Sequence, residues 1–286
     1  MKIRFLGTAA AEGVPALFCE CDHCRYAWQA KGKEIRSRAG SIVDGVLKLD
    51  FGPDSFSQML DSGLHFSKVK AMLITHTHDD HFDHYQIAYR RNGYAHLPEG
   101  EQKMTVYGNA HVVEVMKRHD CEWIDLKEMK PFEPVKIEGY TVTALQAVHY
   151  RDHGDGKAFP VTFEGETVYR TEDALFYLIE KDGKSLLYAH DTDEFTPEDM
   201  EFLKGRKIDL ISLDCTNGYL NAEYIGHMGA NDNLRMKEKL LAIGAADEHT
   251  KFVANHFSHN GLVPHEELEK LLPGFTVAYD GLEMEV

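Results

Sequence analysis

The sequence predicts an α/β chain built from two sheets with helices on their outer faces. Two observations carry that expectation. Apolar runs of strand length are interleaved with helical segments along the whole chain, and His or Asp stands at the end of several runs, where loops collect function. The 286 residues, 43% of them hydrophobic, suffice for a full core. No Pro/Ser-rich linker, low-complexity run or solenoid-period repeat divides them, so one domain over residues 1–286 is expected.

The elements follow in order. Lys2 to Leu6 alternates and reads as a strand; Ile42 to Leu49 reads as a second strand pair turning at Asp44-Gly45. Ser55 to Leu60 is helical, and Val69 to Ile74 is an apolar run that reads as a buried strand. A strand near Met104 to Tyr107, a helix near Ala110 to Arg118 and strands within Val135 to Leu145 and Ala174 to Ile179 come next. "KSLLYAHD" ends at Asp191 and Ile208 to Leu213 leads to Asp214. A helix from Asn231 to Ile243, a strand Phe252 to Ala254, a helix near Pro264 to Leu272 and a strand near Thr276 to Tyr279 close the chain.

Composition excludes several classes. The net charge of −16 is diffuse, with no Lys/Arg stripe, which argues against extended nucleic-acid binding. No segment approaches the ~20 apolar residues of a membrane helix, and "MKIRFLGTAAAEG" is too short in apolar residues for a signal peptide. A cytoplasmic location without membrane contact is the expectation. Five cysteines, an odd number, argue against a disulfide framework and favour metal for Cys19, Cys21 and Cys24 in "FCECDHC".

The chemistry concentrates in "LITHTHDDHFDH", residues 73–84. A buried strand delivers His76, His78, Asp80 and His81 in one tight loop. Left unpaired, such groups are costly to bury, whereas a divalent metal satisfies all of them. A solvated polar turn rarely sets that string directly behind a buried strand.

This string resembles the signature of the metallo-β-lactamase fold, an αββα sandwich whose sheet-edge loops hold one or two metals. The resemblance implies three later ligands, each after its own strand, and the sequence offers His149 in "ALQAVHY", Asp191 in "LLYAHDTD" and His256 in "FVANHFSH". His153, His190 and His227 compete for those roles. With His76, His78 and His149 around one ion and Asp80, His81 and His256 around the other, Asp191 is left to bridge. A shared water losing its proton at neutral pH then becomes the nucleophile.

"FLGTAAAEGVPALFCECDHC", "FVANHFSHNG" and "VAYDGLEMEV" resemble the PhnP-like cyclic phosphodiesterases over the whole chain. That resemblance implies a structural zinc on Cys19, Cys21, Cys24 and His259, a set whose chemistry suits a closed tetrahedral site. His23 is a rival fourth ligand, although it lies inside the Cys21-to-Cys24 knuckle, facing away. The resemblance also implies that His227 in "YIGHMGANDNL" is the general acid; Asp80 is counted with it among the catalytic residues. Residues 150–173 read as an insertion following His149, and His190 departs from the small hydroxyl residue expected before the bridging Asp.

The expected activity is hydrolysis of a small cyclic phosphate ester, with two divalent metals (Mn or Zn, with Fe a third option) and one structural Zn. A small phosphate ester is the expected partner, and a homodimer is compatible with the sequence. Two alternatives stand beside it. A tRNA 3′-processing nuclease shares the metal motif, but no Gly/Lys-rich arm is present. A non-hydrolytic protein like pyrroloquinoline quinone biosynthesis protein B shares the cysteine knuckle, and the intact His/Asp string argues against it.

Overall fold

In the computed structural model of the chain, residues 1–149, 174–220 and 226–286 are described, together with the backbone of strands 159–163 and 166–170. Alternation sorts the first sheet. In β1 (Lys2–Gly7) Ile3 and Phe5 face the interior, and β2 (Gly40–Val43) and β3 (Leu47–Leu49) add Val43, Leu47 and Leu49 to the same layer. The three-residue turn between β2 and β3 places Asp44 and Gly45 at positive φ, +49° and +72°. Three parallel additions follow, β4 (Ala71–Leu73), β5 (Met104–Gly108) and β6 (Ile124–Glu128), and β16 (Glu283–Glu285) pairs antiparallel to β1 at the other edge.

The second sheet runs β15 (Thr276–Val277), β14 (Lys251–Asn255), β13 (Leu210–Asp214), β12 (Lys184–Ala189), β11 (Leu175–Lys181), β8 (Tyr140–Gln146) and β7 (Pro134–Ile137). Its four members β12 to β15 are parallel and point their carboxyl ends the same way. The sheets stack through one apolar layer containing Ile3, Phe5, Leu49, Tyr140, Tyr177, Ile179, Leu186 and Val253, all under 1% exposed. Each such side chain contributes about 1.5–3 kcal/mol by leaving water.

Helices cover both outer faces. α1 (Asp22–Ala30), α2 (Ser55–Ser62), α3 (His84–Ile87) and α4 (Ala110–Met116) belong to the first half of the chain. α5 (Pro197–Leu203), α6 (Ala230–Ala242) and α7 (His265–Leu271) belong to the second, where Leu203, Met236 and Leu240 pack on Leu187, Ile211 and Phe252. The expected architecture is therefore the observed one: two seven-stranded mixed sheets with helices outside.

Several elements were not anticipated: α1, α3, α5, β6 and β16. α1 begins inside the cysteine-rich stretch with Cys21 as its N-cap, and α5 opens on a capping box, Thr196 with Asp199, behind which Pro197 starts the helix. Within the expected insertion 150–173, β9 (Phe159–Phe163) and β10 (Glu166–Arg170) pair as an antiparallel hairpin. The remainder of that stretch, including His153, lies outside the described residues.

Candidate metal centre

Each candidate ligand sits just past a strand. β4 releases the loop carrying His76, His78, Asp80 and His81; β8 precedes His149, β12 precedes Asp191 and β14 precedes His256. Strand interiors thus supply rigidity and strand ends supply direction. Asp191 and His256 have positive φ, +49° and +62°, and so does Asp50 at the end of β3, +54°. Such backbone is strained for residues with a Cβ and collects at functional sites.

Two ligand sets meet. The rings of His76, His78 and His149 lie 4.4 to 4.9 Å apart, and His149 Nε2 is 3.1 Å from His78 Nδ1. Beside them, His81 Nε2 is 3.2 Å from His256 Nε2 and 3.1 Å from Asp80 Oδ2. Asp191 stands between the sets: Oδ2 is 3.7 Å from His76 Nε2 and 3.3 Å from His256 Nε2 and contacts His81, while Oδ1 is 3.9 Å from His149 Nε2. A carboxylate facing both groups has the position of a bridge.

The outer nitrogens of these rings are already committed, which aims the inner ones. His81 Nδ1 donates to Asp50 Oδ2 at 2.8 Å, His256 Nδ1 to Thr216 Oγ1 at 2.8 Å, and His149 Nδ1 to the Gly226 carbonyl at 3.2 Å. Thr75 Oγ1 donates to Asp50 Oδ1 at 3.0 Å and accepts from His76 Nδ1 at 2.9 Å. His76 Nε2 then has no hydrogen-bond partner although it is buried. Imidazoles oriented by outer hydrogen bonds so that an inner lone pair is left without a partner are the arrangement a divalent cation completes.

Electrostatics points the same way. Burial pushes His76 well below its ordinary range and His149 down to about 3, so both favour the neutral, ligating form. Burial also opposes a charge on His81, but the Asp191, Asp80 and Asp50 carboxylates outweigh it and hold the imidazole well above 6.5. A positive charge is wanted at that spot, and a cation can take the place of the proton. Asp191 stays well below the usual carboxylate range because His256, His81 and His149 overcome its burial.

His227 stands over both sets, its ring 4.8 Å from that of His149 and stacked 5.9 Å from that of His256. Its Nδ1 donates to Asp214 Oδ2 at 3.0 Å, and Asp214, with Asp191 behind it, raises the imidazole to about 9 against the opposing pull of burial. Asp50 and Asp214 are the site residues that sequence reasoning missed. Asp214 Oδ1 accepts the backbone N–H groups of Thr216 and Met228 and Oδ2 accepts that of Asp191, so this carboxylate ties three segments together. Its one signal in the sequence was its place at the end of an apolar run. His190 turns away from the cluster: Nε2 lies 2.8 Å from Ser212 Oγ, and the ring packs on Tyr188 between the sheets.

The cysteines form a separate group. The ligand atoms of Cys19, Cys21, Cys24 and His259 lie within 4.8 Å of one another, with His259 Nδ1 3.4 Å from Cys19 Sγ and 3.6 Å from Cys21 Sγ. Backbone N–H groups of Ala16, Cys21 and Cys24 donate to Cys24, Cys19 and Cys21 sulfurs at 3.3–3.4 Å. Burial opposes ionisation of Cys21, yet the contact with His259 and the neighbouring donors bring it to about 6, a thiolate at neutral pH; Cys24 is pushed up to about 12, chiefly by burial. The donor set fits tetrahedral zinc. His23 is not among the four and points elsewhere, beside Tyr26.

Comparison with known proteins agrees with this geometry. A family model described as "Beta-lactamase superfamily domain" matches residues 48–257. Among curated proteins, the chain is 26% identical to coenzyme PQQ synthesis protein B of a Methylobacterium species (strain 4-46), covering 99% of each. It is 24% identical to an octanoyltransferase of Porphyromonas gingivalis over 99% of this chain, and spans 51% of that protein's length. Among solved structures, a diphosphatase from the PhnP family aligns over 100% of this chain and 98% of its own at TM-score 0.71 and 22% identity. Zn²⁺-bound PqqB from Methylobacterium extorquens aligns over 100% of both chains at TM-score 0.72 and 19% identity.

Proposed function

We propose, from the premise that the chain belongs to the beta-lactamase superfamily, that it is a metal-dependent phosphodiesterase acting on a small, cyclic phosphate ester. The single observation behind this reading is that His227, oriented by Asp214, faces a pair of ligand sets joined by Asp191. Two cations side by side suit the two non-bridging oxygens of a phosphodiester, and a proton donor beside them suits its leaving oxygen.

His76, His78 and His149 would hold one divalent ion, and Asp80, His81 and His256 the other, with Asp191 shared. Such ions supply Lewis-acid polarisation of the ester and of an attacking water. The chain's own residues do the rest. Asp50, Thr75 and Thr216 keep the ligating imidazoles in one tautomer, so the reacting groups are positioned before substrate arrives. As the water oxygen bonds to phosphorus and the ester P–O bond breaks, His227 delivers its Nε2 proton to the departing alkoxide while Asp214 stays ionised; the water's proton leaves to solvent, and a solvent proton restores the imidazolium. Cys19, Cys21, Cys24 and His259 would hold a structural zinc. His259 is three residues from His256, so that clamp would also steady the last ligand.

The likeness to the PhnP-family diphosphatase supports hydrolysis at phosphorus, and the net charge of −16 supports a small substrate over RNA. The test is hydrolysis of bis(p-nitrophenyl) phosphate and of a 2′,3′-cyclic nucleotide after chelation and add-back of Mn²⁺ or Zn²⁺. Metal-dependent turnover is expected, and its absence with both substrates would sink the proposal. The likeness to PqqB keeps a non-hydrolytic reading in view. Metal analysis finding one ion per chain at the His/Asp sets would favour it.

A further inference from the structure

β3 buries a lysine. Leu47 and Leu49 face the layer between the sheets, while Lys48 turns to the helix side and is 0% exposed. Its Nζ donates to the Leu49 carbonyl at 3.2 Å and to the Asp50 carbonyl, and the rings of Phe51 and Phe66 stand 5.9 and 6.0 Å away. Gly40 on the neighbouring strand makes room, since a Cβ there would lie 2.9 Å from Nζ. The partners are carbonyls rather than a carboxylate, so ion pairing does not explain the residue.

The carbonyls belong to the turn that serves the metal centre. Asp50 leaves β3 at φ +54°, and two successive carbonyls converge on one nitrogen. From that turn the Asp50 carboxylate accepts Thr75 N at 2.8 Å and His81 Nδ1 at 2.8 Å. An apolar side chain at position 48 would fill the space but leave the turn without its shared donor. Even a neutral amine has the two hydrogens this role needs, which matters because burial brings Lys48 down to about 7.

We propose that Lys48 is a positioning residue of the candidate metal centre: through the Leu49 and Asp50 carbonyls it fixes the turn from which Asp50 sets the orientation and tautomer of His81. This rests on reading Asp80, His81, Asp191 and His256 as one ion's ligand set.

Lys48→Met keeps length and removes the donor. Wild type and variant are compared by Zn²⁺ stoichiometry, by Zn²⁺ affinity in competition with a chromophoric chelator, and by the visible spectrum of the Co²⁺-loaded protein. The expected result is affinity for one ion weakened about tenfold or more, with an altered Co²⁺ spectrum. Loss of packing alone would lower thermal stability and leave both readouts as they were. Wild-type affinity and spectrum in folded Lys48→Met would overturn the proposal. If wild type itself takes up no ion beyond the cysteine group, the ligand-set reading has failed and this proposal falls with it. Should Lys48→Met not fold, wild-type protein carrying ¹³Cε-lysine decides. The Lys48 resonance, assigned by its absence from the spectrum of Lys48→Arg protein, should move as Zn²⁺ loads the His/Asp sets; no movement at saturation overturns the proposal.

Discussion

The Asp214 carboxylate is shared between two imidazoles: Oδ2 lies 3.0 Å from His227 Nδ1 and 3.5 Å from His256 Nδ1. The residue read as proton donor and a residue read as metal ligand therefore rest on one buried group. Their substitutions should separate cleanly. His227→Ala is expected to lower kcat by roughly 10²–10⁴-fold with metal content unchanged. Asp214→Asn is expected to lower both, because it also disturbs Thr216 and His256. Steady-state kinetics beside elemental analysis checks the contrast; equal metal loss in both variants would count against it.

Gly52 is packed against the metal loop. A Cβ there would lie 1.8 Å from the Asp80 carbonyl oxygen, a backbone atom that cannot swing aside. Gly52→Ala should displace Asp80 and His81 and reduce metal-dependent turnover on the order of 10²-fold, while far-ultraviolet circular dichroism stays near wild type.

Cys21→Ser tests the cysteine group. One zinc per chain should be lost and Tm should fall on the order of 10 °C, with the His/Asp ligands still able to bind metal. Freely reactive cysteines and no zinc in the purified wild type would refute the clamp.

Asp280 gives a pH signature of its own. It accepts Thr8 Oγ1 at 2.7 Å and Ser37 N at 2.6 Å, yet burial raises its carboxyl to about 6. Between about pH 4 and 6 the folded chain holds a proton that the unfolded chain has released, so this group's contribution to stability declines as pH rises and is level above 6. The stability difference between wild type and Asp280→Asn, from denaturant unfolding, should shrink across that window at up to about 1.4 kcal/mol per pH unit. A flat difference would contradict the assignment.

His190 neighbours Asp191, read as the bridge, in sequence but not in role. His190→Ala should cost about 2–4 kcal/mol, through a cavity beside Tyr188 and the loss of the Ser212 partner, while metal stoichiometry is retained.

The strands were legible because their apolar runs have the right length, and the residues that converge at the candidate centre were legible because each follows such a run. Asp50 and Asp214 were not, since an Asp at a strand end reads the same whether it caps a turn or aims an imidazole; only the third dimension shows Asp50 opposite His81. α1 was hidden because "DHCRYAWQA" is short and opens inside the cysteine-rich stretch, and it buries only His23, Cys24 and Ala27. Lys48 was equally silent, because a lone Lys in an alternating strand ordinarily marks the solvent face.

Neither candidate ligand set is complete within one sheet: His76, His78, Asp80 and His81 follow β4, whereas His149, Asp191 and His256 follow strands of the other. An ion held there fastens the two halves of the sandwich, and separating them requires releasing it. The free energy of stabilisation then grows with the logarithm of free metal above its dissociation constant. Metal supply would set how long each molecule survives as well as how fast it turns over.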